Sequence, residues 1–331
     1  MRILVLGGTR FLGRHLVHSA LARGHALTLL HRGRSDASAF PEAEHLIADR
    51  EGDLGVLAGR TWDAVVDPSG YLPGVVAASA RALVDAVGRY LFVSTISVYA
   101  EPLAPGADED APRIRLADPG VSEMTPETYG GHKALCEDEV TAMFGPRATV
   151  VRPGLIVGPF DTTDRFPYWP RRLARGGEVL APGRPDAPVQ VVDARDLAVW
   201  MVDLLERDRA GTYNAVGPKR PLTMQEALSG IAGGLGVEPD LTWVDESFLL
   251  AHDVVPWVGL PLWVPAADDA FARMSNARAL AEGLRMRPLA ETARDTLAWE
   301  RSLSPGARSA SPALSSERER ELLAAWHARG G

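Results

Sequence analysis

Two groups of residues in this 331-residue chain have types and spacings that could do chemistry. The first is Gly7-Gly8-Thr9-Arg10-Phe11-Leu12-Gly13, which ends the apolar run Ile3 to Leu6 and leads into Arg14 to Leu21, where apolar residues recur at helical spacing. A strand, a tight turn and a helix in that order leave free backbone N–H groups at the helix N-terminus, where the aligned peptide dipoles favour a phosphate. The second group is Tyr129-Gly130-Gly131-His132-Lys133. Residues four apart lie on one helical face, so the Tyr129 hydroxyl and the Lys133 ammonium can share one site. The chain has only six tyrosines and two lysines, which makes their coincidence informative. Glycines that serve only a turn, and a tyrosine and lysine on a solvated face, are the alternatives that either motif alone leaves open.

The elements that must position these groups follow in order. Ala26 to Leu30 reads as a second strand ending in His31-Arg32-Gly33-Arg34-Ser35. In a dinucleotide-binding fold an acid at this point binds the adenosine ribose, whereas an arginine accommodates a 2′-phosphate. Arg32 and Arg34, joined by Arg10 from the turn, therefore point to NADP(H) over NAD(H), because guanidinium forks pair bidentately with phosphate oxygens. Solvated turn arginines are the alternative. His45 to Ala48 reads as a third strand; Asp49 and Arg50 at its end are expected to contact cofactor, with Asp49 in reach of the adenine. Trp62 to Asp67 is a fourth strand, Val75 to Val87 has helical spacing, and Tyr90 to Thr95 is a fifth strand. Strands alternating with helices of this length imply a parallel sheet covered on both faces, with ligands beyond the carboxyl ends of its strands. Ala100 to Glu123, rich in Pro, Asp and Gly, reads as a long surface loop. Thr125-Pro126 then supplies a cap and a first-turn proline for the helix that carries Tyr129 and Lys133. Gly130 and Gly131 cost about 1 kcal/mol each in a helix interior, so something is expected to need close approach there.

Composition sets limits. With 46% hydrophobic residues the chain has ample material for a packed core in one large domain or two unequal lobes. The single cysteine, Cys136, cannot form an internal disulfide and sits beside Glu137 and Asp138, which would raise its pKa; it reads as structural. The apolar run before the glycines is too short for a signal-peptide core, and no stretch is long and apolar enough for a membrane helix, so a soluble, cytoplasmic protein is expected. A formal net charge of −8 argues against general affinity for nucleic acid or anionic lipid. His15 and His18 are three apart in the first helix, but no further ligand cluster supports a metal site.

The Gly7 to Gly13 turn, Ser94-Thr95-Ile96-Ser97-Val98-Tyr99, Tyr129-x-x-x-Lys133 and Val151-Arg152-Pro153-Gly154-Leu155-Ile156-Val157-Gly158-Pro159 occur in one order and spacing. They are followed by Val189-Gln190-Val191-Val192-Asp193-Ala194-Arg195-Asp196-Leu197-Ala198 and by Gly211-Thr212-Tyr213-Asn214-Ala215-Val216-Gly217. Together they resemble the extended short-chain dehydrogenase/reductases, the NAD-dependent epimerase/dehydratase family, over roughly residues 1 to 300. The Gly-Gly-Thr-Arg-Phe-Leu-Gly turn looks most like an atypical branch that includes chloroplast stem-loop-binding proteins.

The resemblance implies an α/β fold, a Rossmann-type doubly wound parallel sheet with a smaller C-terminal substrate-binding lobe. On this reading residues 1–158 with 187–217 bind the dinucleotide, 159–186 with 218–300 bind substrate, and 301–331 are a linker and a C-terminal helix. Thr95, Tyr129 and Lys133 would be the catalytic set, and Gly7, Thr9, Arg10, Phe11, Leu12, Gly13, Arg32, Arg34, Asp49, Arg50, Ser94, Tyr129, Lys133 and Pro153 the cofactor-binding set. Tyrosine, with a pKa near 10, is a poor acid–base group alone; a lysine beside it favours the phenolate. Tyr129 would exchange a proton with a carbonyl or alcohol while the nicotinamide exchanges hydride, Thr95 would hold the same oxygen, and Lys133 would also hold the nicotinamide ribose.

Departures from the family pattern narrow the chemistry. Dehydratases of the family carry Asp-Glu after the active-site threonine, where this chain has Ile96-Ser97. Sugar-nucleotide enzymes of the family carry an arginine for the substrate diphosphate where this chain has Val189 followed by Gln190, leaving Arg184 and Arg195 as the remaining candidates for that charge. The expectation is an NADP(H)-dependent oxidoreductase acting on a small, largely apolar carbonyl or alcohol. A sugar-nucleotide epimerase using transient hydride transfer is the runner-up, and a nucleotide-sensing or RNA-binding protein, opposed by the net acidity and scarce lysine, is the third. Phe248 to Pro265 reads equally as cleft lining or core, and Arg171, Arg172 and Arg175 as a solvated helix face. Ser316-Glu317-Arg318-Glu319 reads as a capping box for a last helix that docks on its own protein or on a second subunit, as in a homodimer.

Overall fold

Ile3, Leu4, Val5 and Leu6 are each at most 1% exposed, which explains a strand without polar alternation: it lies inside a parallel sheet covered on both faces. The computed structural model describes residues 1–36, 38–118, 120–304 and 311–329. It divides into two compact units, one made of Met1–Ile156, Ala194–Lys219 and Met274–Arg285, the other of Val157–Asp193, Arg220–Arg273 and Met286–Gly331. Residues 187–193 thus cluster with the second unit and Met274–Arg285 with the first.

The first unit runs β1 (Arg2–Leu6), α1 (Phe11–Ala22), β2 (Ala26–His31), β3 (Glu44–Ile47), β4 (Trp62–Asp67), α2 (Pro73–Leu83), β5 (Val87–Val93), α3 (Pro126–Phe144) and β6 (Ala148–Pro153). The helix Ala194–Glu206 and the strand Gly211–Ala215 complete it. The seven strands are parallel and lie in the order Gly211–Ala215, β6, β5, β4, β1, β2, β3. Successive connections move outward from β1 in one direction and from β4 in the other. Right-handed crossovers therefore put α1 and α2 on opposite faces, with α1 against the helix Ala194–Glu206 and α2 against α3. The order reverses between β1 and β4, the place where open α/β sheets bind ligands. This is the Rossmann-type doubly wound sheet that the sequence led us to expect.

One boundary differs. The helical spacing read from Val75 to Val87 ends at Leu83, where the Ala86 N–H bonds back to the Leu83 carbonyl, and Val87 already belongs to β5. Apolar residues continue through the turn because it too is packed, so periodicity alone does not mark it.

The carboxyl ends of β4 and β5 are fixed by a buried ion pair. Asp67, fully buried, takes both forks of Arg50 at 2.7 and 2.8 Å and the Tyr90 hydroxyl at 2.9 Å. Arg50 also donates to Ser79 Oγ on α2, and the Ser69 N–H caps Asp67 at 3.1 Å. The adjoining Arg50 pair and the Tyr90 hydrogen bond pull the Asp67 carboxyl below its ordinary range against the burial that pushes it up. Cys136, packed in the core with Tyr90 and Phe144, is buried and its thiol is pushed up to about 12 by that burial.

In the second unit the arginines of the helix Tyr168–Ala174 are not a solvated face. Arg172 is 5% exposed and bonds through Nε to Glu319 at 2.5 and 2.7 Å, while Arg171 pairs with Asp164 and Glu300. The last helix, Ser316–His327, begins one residue earlier than its sequence signature suggests: Ser315 is the cap, accepting from the Arg318 N–H. Glu319 is thereby released from capping and lies buried against Arg172 and the Leu180 N–H. The helix docks on its own chain, packing Trp326 edge-on to Phe248. Of the linker expected over 301–314, residues 305–310 lie outside the described residues. Phe248, Leu249, Leu260 and Trp263 are core, whereas Leu250, Val255, Trp257 and Val258 are exposed. Among the described residues no helix is long and apolar enough to cross a membrane.

Replacing Arg50 by leucine is expected to cost about 3–5 kcal/mol of unfolding free energy, since it strands a buried carboxylate. Urea denaturation of the variant, beside a double variant that also replaces Asp67 by asparagine, should show the double change costing less than the sum of the single changes.

Candidate active site and cofactor cradle

The glycine turn lies at the switch point of the sheet. Gly7 and Gly8 leave β1 with φ of 113° and 94°, and the Gly7 N–H donates to the Leu30 carbonyl on β2 at 2.8 Å. A Cβ on Gly13 would stand 2.8 Å from Gly8 Cα, so only glycine lets α1 start directly against the turn. No side chain caps α1 and its first turn holds no acid, which leaves its N-terminal N–H groups for an anion. Thr9, buried, bonds to Ser35 at 2.7 Å and ties the turn to the segment after β2.

Arg10, Arg32 and Arg34 are exposed, and their side chains have no hydrogen-bond or ion-pair partner among the described residues. The acid that follows β2, Asp36, is taken by Arg14 at 3.3 Å. Of the other expected cofactor contacts, Leu12 is buried against the core side of α1 and Phe11 opens the helix at a φ of 31°. Asp49 is exposed, its carboxylate accepting from the Glu51 N–H. Arg50 goes elsewhere: its fork serves the Asp67 carboxylate, a partner seventeen residues on that a strand-end reading does not reveal.

The second cluster is at the carboxyl end of β5. Ser94 is 4% exposed and its hydroxyl has no partner within the protein, a buried polar atom pointing to a ligand or water at this strand end. Thr95 accepts the Ser97 N–H at 3.1 Å through Oγ1, which lies 3.1 Å from the Ser97 hydroxyl. Thr125 and Thr128 form a reciprocal capping box, with Pro126 in the first turn, and so start α3 where the sequence placed it. Gly130 explains itself here. A Cβ at that position would fall 2.0 Å from the Ser97 carbonyl oxygen, and one on Gly131 would fall 2.3 Å from the Leu116 side chain. The helix therefore lies directly on the Thr95–Ser97 segment at the residue after Tyr129. Lys133, one turn further and 2% exposed, donates to the Gly70 carbonyl at 2.5 Å and the Val93 carbonyl at 2.7 Å, bridging the ends of β4 and β5. Burial pulls its ammonium down to about 8, with nearby acids opposing. Pro153 is buried at the end of β6 beside Ala215.

Two residues near this cluster carried no sequence signal strong enough to select them. Ser97 supplies a second hydroxyl beside Thr95, and the Tyr71 ring centroid lies 5.4 Å from Lys133 Nζ. A large aromatic one residue beyond the Ser69-Gly70 turn of a parallel strand is the feature that would have pointed to Tyr71. In the second unit, Val189 and Gln190 are buried and bring no charge, and Arg184 is shared between Asp186 and Asp269, each at 3.4 Å.

A glycine turn on a helix N-terminus at the switch point of a doubly wound sheet has the form of a dinucleotide seat, and the first unit is a Rossmann-type α/β domain. The comparisons agree in class: residues 3–216 match the NAD dependent epimerase/dehydratase family, and the chain belongs to it. It is 27% identical over 238 residues to chloroplast stem-loop binding protein of 41 kDa b from Arabidopsis thaliana, covering 66% of this chain and 59% of that protein. It is 31% identical over 184 residues to a 3-diazoavenalumate denitrifying reductase of a Streptomyces species, covering 48% of this chain and 57% of the relative. The chain thus spans little more than half the length of these curated relatives. Among solved structures, Bordetella bronchiseptica WbmH in complex with NAD+ superposes with a TM-score of 0.67 at 16% identity, covering 91% of this chain and 98% of its own. UDP-glucose-4-epimerase from Stenotrophomonas maltophila, with bound NAD and formylated UDP-arabinopyranose, gives 0.67 at 21% identity, covering 93% and 100%. At these identities the likeness establishes the fold.

Changing Gly130 to alanine should destabilise the protein by about 1–3 kcal/mol, as overpacking against backbone does. Gly74 of α2, whose Cβ would meet nothing within 4 Å, is the control, and its replacement by alanine should be neutral or stabilising. Chemical denaturation of both variants checks the contrast.

Proposed function

We propose that this protein is an NADP(H)-dependent oxidoreductase that transfers hydride to or from the carbonyl or alcohol of a small, largely apolar organic substrate, with Tyr129 as the acid–base group. The observation that carries the reading is the placement of Lys133, four residues after Tyr129 and bonded to the carbonyl oxygens of Gly70 and Val93. When bound, the nicotinamide supplies or accepts the hydride.

The chain's own residues divide the rest. Lys133 donates to two backbone carbonyl oxygens, as an ammonium does, and a positive charge there favours the Tyr129 phenolate. Tyr129 then gives a proton to the substrate oxygen in reduction or takes it in oxidation. Thr95 steadies the same oxygen by a hydrogen bond as charge develops on it. Arg10, Arg32 and Arg34, exposed and unpartnered among the described residues, support a 2′-phosphate on the adenosine. The lack of charge at Val189 and Gln190 supports a substrate without a diphosphate, and the Streptomyces relative, a denitrifying reductase by name, is in keeping with the same class. A net charge of −8 supports a small molecule over a nucleic acid as the partner.

Calorimetric titration with NADPH, NADP+, NADH and NAD+ tests the cofactor. The phosphorylated pair should bind more tightly by about tenfold or more, equivalent to about 1.4 kcal/mol, and changing both Arg32 and Arg34 to alanine should erase the difference. Equal affinity for NADH and NADPH in the unaltered protein would contradict the assignment.

A further inference from the structure

Lys133 is enclosed by two aromatic rings of different character. Phe92, fully buried, has its ring centroid 4.1 Å from Nζ and belongs to the core. Tyr71 stands 5.4 Å from the same nitrogen and is 51% exposed, among the largest apolar exposures in the first unit. Its backbone is not free to wander. Gly70, just before it, gives its carbonyl to Lys133 and is packed so closely that a Cβ would lie 2.7 Å from Phe92 and Val76 and 2.8 Å from Asp67. The ring is therefore carried on a tightly packed turn at the sheet's carboxyl edge yet left open on one side. Burial and the Asp67 carboxylate push the Tyr71 phenol up, so it stays neutral at physiological pH and does not compete with Tyr129 for the proton.

We propose that Tyr71 forms a wall of the nicotinamide half of the cofactor site, its ring packing on that half beside Lys133. The inference rests on the dinucleotide reading given above. A rigid aromatic surface with a hydroxyl at its tip suits a flat, partly polar ring such as nicotinamide, and it costs little conformational entropy to present. The adenosine half lies with Arg10, Arg32 and Arg34 at the ends of β1 and β2, and Tyr71 has no part in holding it.

That division makes the proposal testable by binding alone. Tyr71→Ala should weaken NADPH about fivefold to tenfold, while adenosine 2′,5′-bisphosphate, which lacks the nicotinamide half, should bind within about twofold of the unaltered protein. Tyr71→Phe should keep NADPH affinity within about twofold, because the ring face makes the contact. Unchanged NADPH affinity in Tyr71→Ala, or an equal loss for both ligands, would overturn the proposal while leaving the cofactor reading intact. Failure of the unaltered protein to bind NADPH would overturn both.

Discussion

The buried Asp67–Arg50 pair is the constraint on which the rest of the site depends. Asp67 ends β4, next to the point where strand order reverses, and a lone carboxylate there would be too costly to keep charged. Arg50 supplies the counter-charge from the segment after β3, and Tyr90 and the Ser69 N–H fill the remaining acceptor positions. The turn fixed in this way puts Ser69 Oγ on the Leu6 carbonyl at 2.6 Å, which sets the exit of β1 into the glycine cradle. It also aims the Gly70 carbonyl at Lys133. One ion pair thus sets the position of both the glycine turn and Lys133.

A second network holds α3 near its middle. Glu137, one turn beyond Lys133, receives both forks of the buried Arg152 at 2.7 and 2.9 Å, and Arg152 also meets the Tyr99 hydroxyl at 2.8 Å. Tyr129, Lys133 and Glu137 follow one another at helical spacing, so this clamp and the contact of Gly130 with Ser97 fix the same face at two points. A helix pinned at Gly130 and at Glu137 leaves Lys133, between them, little freedom.

Much of this was legible in the sequence because the responsible patterns are local. Strand β1 announced itself as four apolar residues ending in glycines, and α3 as Thr125-Pro126 with a tyrosine and lysine four apart. Gly130 and Gly131 signalled a close approach, but not to what: Ser97 and Leu116 are brought there by the chain path through the loop between β5 and α3. Charged residues were the least legible. Arg50 looked like a cofactor contact and Arg172 like a solvated residue, because Asp67 and Glu319, the carboxylates that claim them, are distant in sequence. Pairing across that separation is a property of the fold, and no local pattern encodes it.

The proposed role of Tyr129 is to move a proton in a reaction that consumes or produces NADPH. Its most direct test follows deuterium from labelled NADPH into the alcohols formed from a panel of small aromatic and aliphatic aldehydes and ketones, in the unaltered protein and in Tyr129→Phe. Label should appear in the product with one NADPH consumed per carbonyl reduced, and the variant should lose about a hundredfold or more in turnover with NADPH affinity retained. Undiminished turnover in Tyr129→Phe, or turnover with no net consumption of NADPH, would contradict it.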